Sequence, residues 1–127
     1  MKLHAILYVR DQASSTQFYR RTLGVEPRLD VPGMTEIEID GAVLGLMPES
    51  AIVRLLGAAL PDPSAASGIP RAEIYLLVDD PSAFHLRALQ AGARELSPLE
   101  QRSWGHEASY VLDPDGHVVA FARAAAR

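Results

Sequence analysis

Apolar and polar positions along this chain follow the same order twice, about seventy residues apart. Segments 4–11 and 73–80 are both apolar, have the make-up of strands and end in an acidic residue. Each leads into a helical stretch that stops at a glycine, and each copy later has an Asp-Gly turn before another apolar strand. A duplicated pattern of this kind predicts two pseudo-symmetric halves with a site between them.

The first copy reads as β-α-β-β-β. A helix begins at Asp11 or Ser14, the candidate N-caps, and ends at Gly24. The Asp40-Gly41 pair predicts a tight hairpin, because both residues tolerate the positive φ angles that such turns require. The predicted strands lie at 3–9, 28–31, 35–39 and 42–47.

The second copy begins near Arg71 and has the same β-α-β-β-β order. Its helix is capped by Asp80, starts at Pro81 and runs to about Ala91. Segment 95–106 reads mostly as loop, and the last hairpin pairs 107–112 with 117–123. We therefore expect one α+β domain, 1–127, made of a module at 1–48, a connection at 49–70 with a helical turn or two in 50–60, and a module at 71–127.

Composition narrows the function only modestly. The chain has 127 residues, 48% of them hydrophobic, and a formal net charge of −4, which argues against nucleic-acid binding. The absence of cysteine excludes disulfides, thiolate metal ligands and cysteine nucleophiles. There is no apolar run of membrane-spanning length and no signal-peptide pattern, so a cytoplasmic protein without nucleic-acid or membrane partners is expected.

The ordered motifs resemble the glyoxalase/bleomycin-resistance/dioxygenase group, the vicinal oxygen chelate superfamily. The resemblance rests on segment 4–19, Leu23-Gly24, Trp104-Gly105 and the run Asp113-Pro-Asp-Gly-His117. It implies two β-α-β-β-β modules that form a curved mixed sheet around a cleft, with the helices on the outer face. It also implies a homodimer.

Metal-using members of this family hold a divalent ion with His, Glu or Gln side chains on the first and last strands of each module. Carried onto this chain, those positions are His4, Glu73, Gly45 and Ala120. Glycine and alanine have no side chain that can coordinate a metal, so two ligands remain where catalytic zinc sites usually have about three. We therefore expect no cofactor. The alternative is one divalent Zn, Ni, Mn or Fe ion.

Strand alternation predicts which side chains face the cleft. If His4 faces inward, Ile6 and Tyr8 do too, and by the same rule so do Glu73 and Tyr75. A two-residue turn at Asp115-Gly116 would place Glu107, Ser109 and Val111 in the cleft and Tyr110 with Phe121 in the core. Among the histidines, His85 is expected at the surface and His117 in a structural turn. The predicted ligand-binding residues are Tyr8, Glu36, Glu38, Tyr75, Trp104, His106 and Glu107.

Four glutamates and the aromatic side chains would give the cleft an acidic, aromatic lining suited to a cationic or planar ligand. The glutamates are Glu36, Glu38, Glu73 and Glu107. Arg28, Arg71 and Arg102 could pair with some of them. The alternative reading is that these glutamates form the solvated face of an antiparallel sheet, and that His4 and Glu73 are strand residues with no role.

Two functions remain open at this point. The first is metal-independent binding of a small molecule, as in the drug-sequestering members of the family. The second is a metal-dependent lyase, isomerase or dioxygenase in which His4 and Glu73 bind the metal and Glu36 supplies a third ligand. Glu36 is predicted to pair opposite Gly45, so its carboxylate could reach the coordination space that Gly45 leaves empty.

Overall fold

A computed structural model of the protein describes residues 1–66 and 68–125. Ser67 of the predicted connection and the last two residues of the predicted second module lie outside the described residues. The chain divides into two compact units at residues 67–68, except that Arg21–Leu23 group with the second unit. None of the helices in the described ranges has the length and apolarity needed to cross a bilayer.

The described residues form eight strands and three α-helices in the order β-α-β-β-β-α-β-α-β-β-β. The strands are β1 (His4–Val9), β2 (Leu29–Val31), β3 (Met34–Ile39), β4 (Ala42–Pro48), β5 (Glu73–Leu77), β6 (Arg94–Gln101), β7 (His106–Leu112) and β8 (Val118–Ala124). The helices are α1 (Gln12–Leu23), α2 (Glu49–Leu56) and α3 (Pro81–Gln90). Two 3₁₀ turns, Gly57–Ala59 and Pro63–Ala65, follow α2 in the connection.

Each unit contains a four-stranded mixed sheet, with strand orders β1-β4-β3-β2 and β5-β8-β7-β6. The first and last strands of each module are parallel, and the other pairs are antiparallel. The predicted α+β fold of two β-α-β-β-β modules is confirmed.

Both ends of helix α1 are capped by residues next to them in the sequence, which stabilises the helix. The Asp11 carboxylate accepts a hydrogen bond from the Ser14 backbone N–H at 2.8 Å, so Asp11 rather than Ser14 is the N-cap. Hydrogen bonds that the Asp11 carboxylate accepts from the Ser14 side chain and backbone lower the pKa of Asp11. The helix ends at Gly24, whose φ of 70° is left-handed and favours glycine.

The core of the first unit lies on one face of its sheet. Phe18 and Tyr19 of α1 are buried, and so are Ile37 and Leu46 of the sheet. The pairing of Ile37 with Leu44 places both on one face, as alternation predicts. The opposite face of the same sheet therefore carries His4, Ile6 and Tyr8.

The prediction that segment 95–106 is mostly loop is wrong, because β6 occupies most of it. The pattern around Pro98 reads as a break because proline has no N–H for a sheet ladder. At the edge of the second sheet, however, that N–H is dispensable. The pairing of β6 with β7 also shifts register between Glu95 and Ser97 and between Ser97 and Glu100, which blurs the alternation in the sequence.

Candidate functional site

The face of the first sheet that carries His4, called here the first face, contains most of the polar candidates of that module. Glu36 pairs with Gly45 and Glu38 pairs with Val43, as the Asp40-Gly41 turn predicts. Because cross-strand partners share a face, both glutamates lie on the side of Tyr8. Glu36 is partly buried, whereas Glu38 is exposed.

Glu36 is engaged by two basic side chains. Arg28 donates to Glu36 Oε1 from its Nε at 3.1 Å and forms an ion pair from its terminal nitrogen at 3.0 Å. The second carboxylate oxygen lies 3.7 Å from His4 Nδ1. The carboxylate is 18% exposed, so this pairing limits the cost of holding a charge in a partly desolvated place.

The first face does not carry the full ligand set of the family's metal-using members. A side chain at position 45 would be needed as a ligand, but a Cβ there would lie 2.9 Å from Ile6 Cγ1 and 3.3 Å from Met34 Sδ. The guanidinium of Arg28 already neutralises Glu36 and would repel a cation. Within the described ranges, no three His, Cys, Asp or Glu side chains group closely enough to hold a metal ion.

The second sheet brings together four rings, called here the aromatic cluster: Tyr75, Trp104, His106 and Tyr110. Trp104 Nε1 donates to Tyr75 Oη at 3.0 Å, and Tyr75 Oη lies 2.7 Å from His106 Nδ1. The rings of Tyr75 and His106 are stacked, with centroids 5.8 Å apart and planes 26° from parallel. Trp104 is 54% exposed, so the cluster presents an aromatic surface to solvent.

Tyr110 belongs to this cluster, so its predicted place in the core is wrong. It pairs with Ala120, which also pairs with Tyr75, and the three residues therefore share one face. The pKa of the Tyr110 phenol is raised, first by burial and then by the negative charge of Glu73, while Arg102 acts in the opposite direction. Glu73 itself is exposed on the same strand as Tyr75.

The face of Tyr110 was predicted wrongly because the turn before β8 is one residue longer than expected. Leu112 pairs with Val118, and the Asp113 N–H donates to the His117 carbonyl, so three residues rather than two form the loop. Adding one residue to a turn moves every side chain of a strand to the opposite face. A two-residue turn would have needed an N–H from Pro114, which proline lacks, and this was the signal available in the sequence.

Glu107, Ser109 and Val111 are also on the opposite face from the predicted one. Ser109 pairs with Phe121 and is buried with it. The Glu107 carboxylate accepts a hydrogen bond from Arg123 Nε at 2.9 Å. Glu107 therefore lies on the other side of the sheet from the aromatic cluster, against the expectation that it lines a site with Tyr75.

Arg102 holds the turn that carries Trp104. Its Nε and one terminal nitrogen donate to the Ala108 carbonyl at 3.1 and 2.8 Å, and the same terminal nitrogen reaches Ser97 Oγ at 2.6 Å. Its guanidinium also lies 5.2 Å from the centre of the Tyr110 ring. Spacing in the sequence contains no signal for this set of contacts.

Two other histidines lie outside the aromatic cluster. His85 is only 12% exposed and its Nε2 lies 2.9 Å from Glu95 Oε1, so the prediction of a surface histidine is wrong. His117 lies in the turn before β8, where its backbone N–H donates to Asp113 Oδ1 at 2.8 Å.

An open hollow of about 630 Å³ lies beside α1, where Gln12, Thr16, Arg20 and Asp30 contribute to its lining. Its polar groups already have structural partners. Gln12 donates to the Val31 carbonyl and accepts from the Gly33 N–H, and Thr16 Oγ1 lies 2.8 Å from Thr35 Oγ1. These bonds fasten the β2–β3 turn to the helix.

Comparisons with known proteins agree with this architecture. An uncharacterized protein of Mycobacterium bovis is 32% identical over 115 residues, which cover 87% of this chain and 75% of that protein. A glyoxalase-related enzyme from Fulvimarina pelagi has a TM-score of 0.80 at 23% identity, over 95% of this chain and 86% of that one. A glyoxalase/bleomycin resistance protein/dioxygenase family enzyme from Burkholderia phytofirmans has a TM-score of 0.82 at 16% identity, over 96% and 97%.

At these identities the two solved structures show the fold alone, and their activities are not transferred to this chain. The family itself rests on a match over most of the chain. The model of the Glyoxalase/Bleomycin resistance protein/Dioxygenase superfamily matches residues 3–121, and the chain belongs to that superfamily.

Proposed function

We propose that this protein binds a planar small molecule without a metal ion, as a sequestering protein for a drug or metabolite, and that the aromatic cluster contacts this molecule. The observation that carries the proposal is the exposed Trp104 ring held by its hydrogen bond to Tyr75. A ring fixed before the ligand arrives loses little conformational freedom on binding, so more of the stacking energy appears as affinity.

The charges of the described residues favour a ligand that binds by stacking of a planar ring over one that binds mainly through its positive charge. Of the four glutamates expected to make the site acidic, Glu36 and Glu107 form ion pairs with arginines. Glu38 and Glu73 are exposed. Attraction of exposed charges is weak in water, whereas stacking on a tryptophan does not need a charged partner.

The test uses the single tryptophan of the chain, whose indole N–H gives one nuclear magnetic resonance signal. The probes are naphthalene, quinoline and N-methylquinolinium, added with and without EDTA. We expect the Trp104 signal to shift saturably with one probe per chain, and EDTA to leave the titration unchanged. No shift with any of the three probes would count against the proposal.

A pair of variants separates this site from nonspecific apolar binding. Trp104→Ala removes the exposed ring, and Leu86→Ala removes an apolar side chain of α3 that is 56% exposed. Saturation-transfer signals of the bound probe should be lost in the first variant and kept in the second. Equal losses in both variants would contradict a role for the cluster.

A second candidate is a divalent-metal-dependent lyase, isomerase or dioxygenase acting on a small oxygenated metabolite. The observation that favours it is the 3.7 Å distance between His4 Nδ1 and Glu36 Oε2. Imidazole nitrogen and carboxylate oxygen both bind divalent metals, and here the two lie side by side. Mass spectrometry of the metal content of protein purified without chelator decides between the two. About one metal ion per chain, lost in His4→Ala, would support the enzyme and overturn the metal-free proposal.

A further inference from the structure

The hydrogen bonds around Tyr75 determine which atoms of the aromatic cluster are left for a ligand. An indole N–H can only donate, so the Tyr75 oxygen is the acceptor in its 3.0 Å bond with Trp104. The phenolic proton is then available for the other neighbour, His106 Nδ1, at 2.7 Å. Of the two neutral tautomers of His106, the one whose Nδ1 accepts is the one that gives the phenolic proton an acceptor within the cluster, and it is the tautomer assigned here.

This assignment sets the position of the imidazole proton. A neutral imidazole carries one proton, and a ring whose Nδ1 accepts must carry that proton on Nε2. Within the described residues, His106 Nε2 has no hydrogen-bond partner, and the ring is partly exposed. Beside the exposed indole, the cluster therefore offers the Nε2–H group of His106 as an unused donor.

The Tyr75 hydroxyl, by contrast, is already used on both sides. Its oxygen accepts from Trp104 and its proton goes to His106. A ligand acceptor could bond to this hydroxyl only by displacing His106, because the phenol has a single proton. Tyr75 thus acts as a positioning residue that selects the tautomer of His106.

We propose that the ligand is a planar aromatic molecule with a hydrogen-bond acceptor on its edge, such as a ring nitrogen or carbonyl oxygen, and that His106 Nε2–H recognises this acceptor while the ring lies against Trp104. This inference rests on the proposed function and specifies its ligand class. A ligand with an N–H group at the same edge is disfavoured, because two donors would face each other without an acceptor.

Three probes of the same bicyclic outline test this at pH 8. Naphthalene has no acceptor, quinoline has a ring nitrogen, and N-methylquinolinium has a positive charge but a blocked nitrogen. We expect quinoline to bind about three- to tenfold tighter than naphthalene, the range of one net hydrogen bond. Equal binding of quinoline and naphthalene would refute the inference and leave the proposed function standing.

Two further outcomes are also decisive. Binding of none of the probes would refute the proposed function itself, and the inference with it. Tighter binding of N-methylquinolinium than of quinoline would show that charge, rather than an acceptor, selects the ligand.

Variants at position 106 distinguish the contribution of the Nε2–H donor to binding from that of the flat ring. His106→Phe keeps a flat ring but removes the Nε2–H, so naphthalene should still bind and the preference for quinoline should disappear. His106→Gln keeps an N–H donor and should retain part of the preference. His85→Asn, at the α3 histidine bonded to Glu95, is the matched control and should leave the preference unchanged. A preference for quinoline that persists in His106→Phe would overturn the assignment.

The positioning role of Tyr75 has a spectroscopic signature. Imidazole nitrogen shifts distinguish the Nδ1–H tautomer from the Nε2–H tautomer, and the signals of His106 are those missing in His106→Gln. We expect the Nε2–H pattern in the wild type and a mixture of both tautomers in Tyr75→Phe, with the quinoline preference reduced in parallel. An Nδ1–H pattern in the wild type would refute the proposal, whatever the probes show.

Discussion

Ile6 fills the space that a larger residue at position 45 would need. Its Cγ1 lies 2.9 Å from where a Cβ on Gly45 would be, and the branched Cβ of Ile6 prevents a small adjustment. The last strand of the first module therefore lacks a metal ligand for two reasons. Glycine has no donor atom, and an apolar side chain occupies the place from which a donor would reach the first face.

This contact predicts that Gly45→Ala changes the free energy of unfolding in opposite directions when residue 6 is isoleucine and when it is alanine. Gly45→Ala should destabilise the protein by about 1 kcal/mol, because the steric cost exceeds the backbone entropy that alanine saves. In the Ile6→Ala background the 2.9 Å contact is absent and only the flexible Met34 side chain has to move, so the same change should stabilise by about 0.5 kcal/mol. Urea unfolding of the four proteins measures both values, and an equal effect in the two backgrounds would contradict the explanation.

At the scale of elements, the two hairpins show how turn chemistry sets register. Asp40 and Gly41 have φ angles of 46° and 88°, the positive pair that a two-residue turn requires. In the second hairpin Pro114 lacks the N–H that a two-residue Asp115-Gly116 turn would need, and a three-residue loop ending at Gly116, with φ of 88°, forms instead. The second register places Tyr110 on the face of Tyr75.

Asp113 is the anchor of this longer loop. It is 4% exposed, and its Oδ1 accepts from the backbone N–H groups of Asp115 and His117 at 2.9 and 2.8 Å. Asp113→Ala should lower the free energy of unfolding by about 2–3 kcal/mol, because two backbone donors lose their acceptor. Asp113→Asn keeps a carbonyl oxygen and should lose less than half of that in chemical denaturation. Similar losses in both variants would argue against the acceptor role.

The turn that carries Trp104 depends on the shape of the Arg102 guanidinium. Arg102→Lys keeps the charge, but a single ammonium cannot reproduce the planar set of hydrogen bonds. We expect a loss of about 1–2 kcal/mol in stability and a shift of the Trp104 indole signal toward that of free indole. Arg94→Lys, at the exposed start of β6, the strand that precedes this turn, is the matched control and should change neither. Identical behaviour of the two variants would contradict this role for Arg102.

At the scale of the whole molecule, several large apolar side chains are left exposed. They include Leu55 at 70%, Leu56 at 45%, Leu77 at 67% and Leu96 at 46%. Exposed apolar surface of this kind favours association, and the family resemblance implies a homodimer. We expect sedimentation velocity to give twice the mass of the chain, with little dependence on salt because apolar burial drives the contact. A single-chain mass at all concentrations would contradict this expectation.

Much of the fold was predictable because its determinants are local. Asp11, Gly24 and Asp80 cap helices through contacts within a few residues, and the Asp40-Gly41 turn has the φ angles that its residue types favour. The placement of Glu36 opposite Gly45 followed from that turn and is confirmed. The edge strand β6 was missed because its proline and its register shifts hide the alternation on which strand prediction depends.

For the candidate site too, some features followed from the sequence and others depended on the tertiary structure. The amino-acid sequence by itself determined the family and the β-α-β-β-β order of the first module, since these depend on residue type and order. That Gly45 and Ala120 stand at two of the four family ligand positions stays a prediction. Only the tertiary structure decided the face of Tyr110, the pairing of Glu36 with Arg28, and the hydrogen bonds that join Trp104, Tyr75 and His106. Tyr75 is 29 residues from Trp104 and 31 from His106, so their contact depends on strand pairing and the length of one turn.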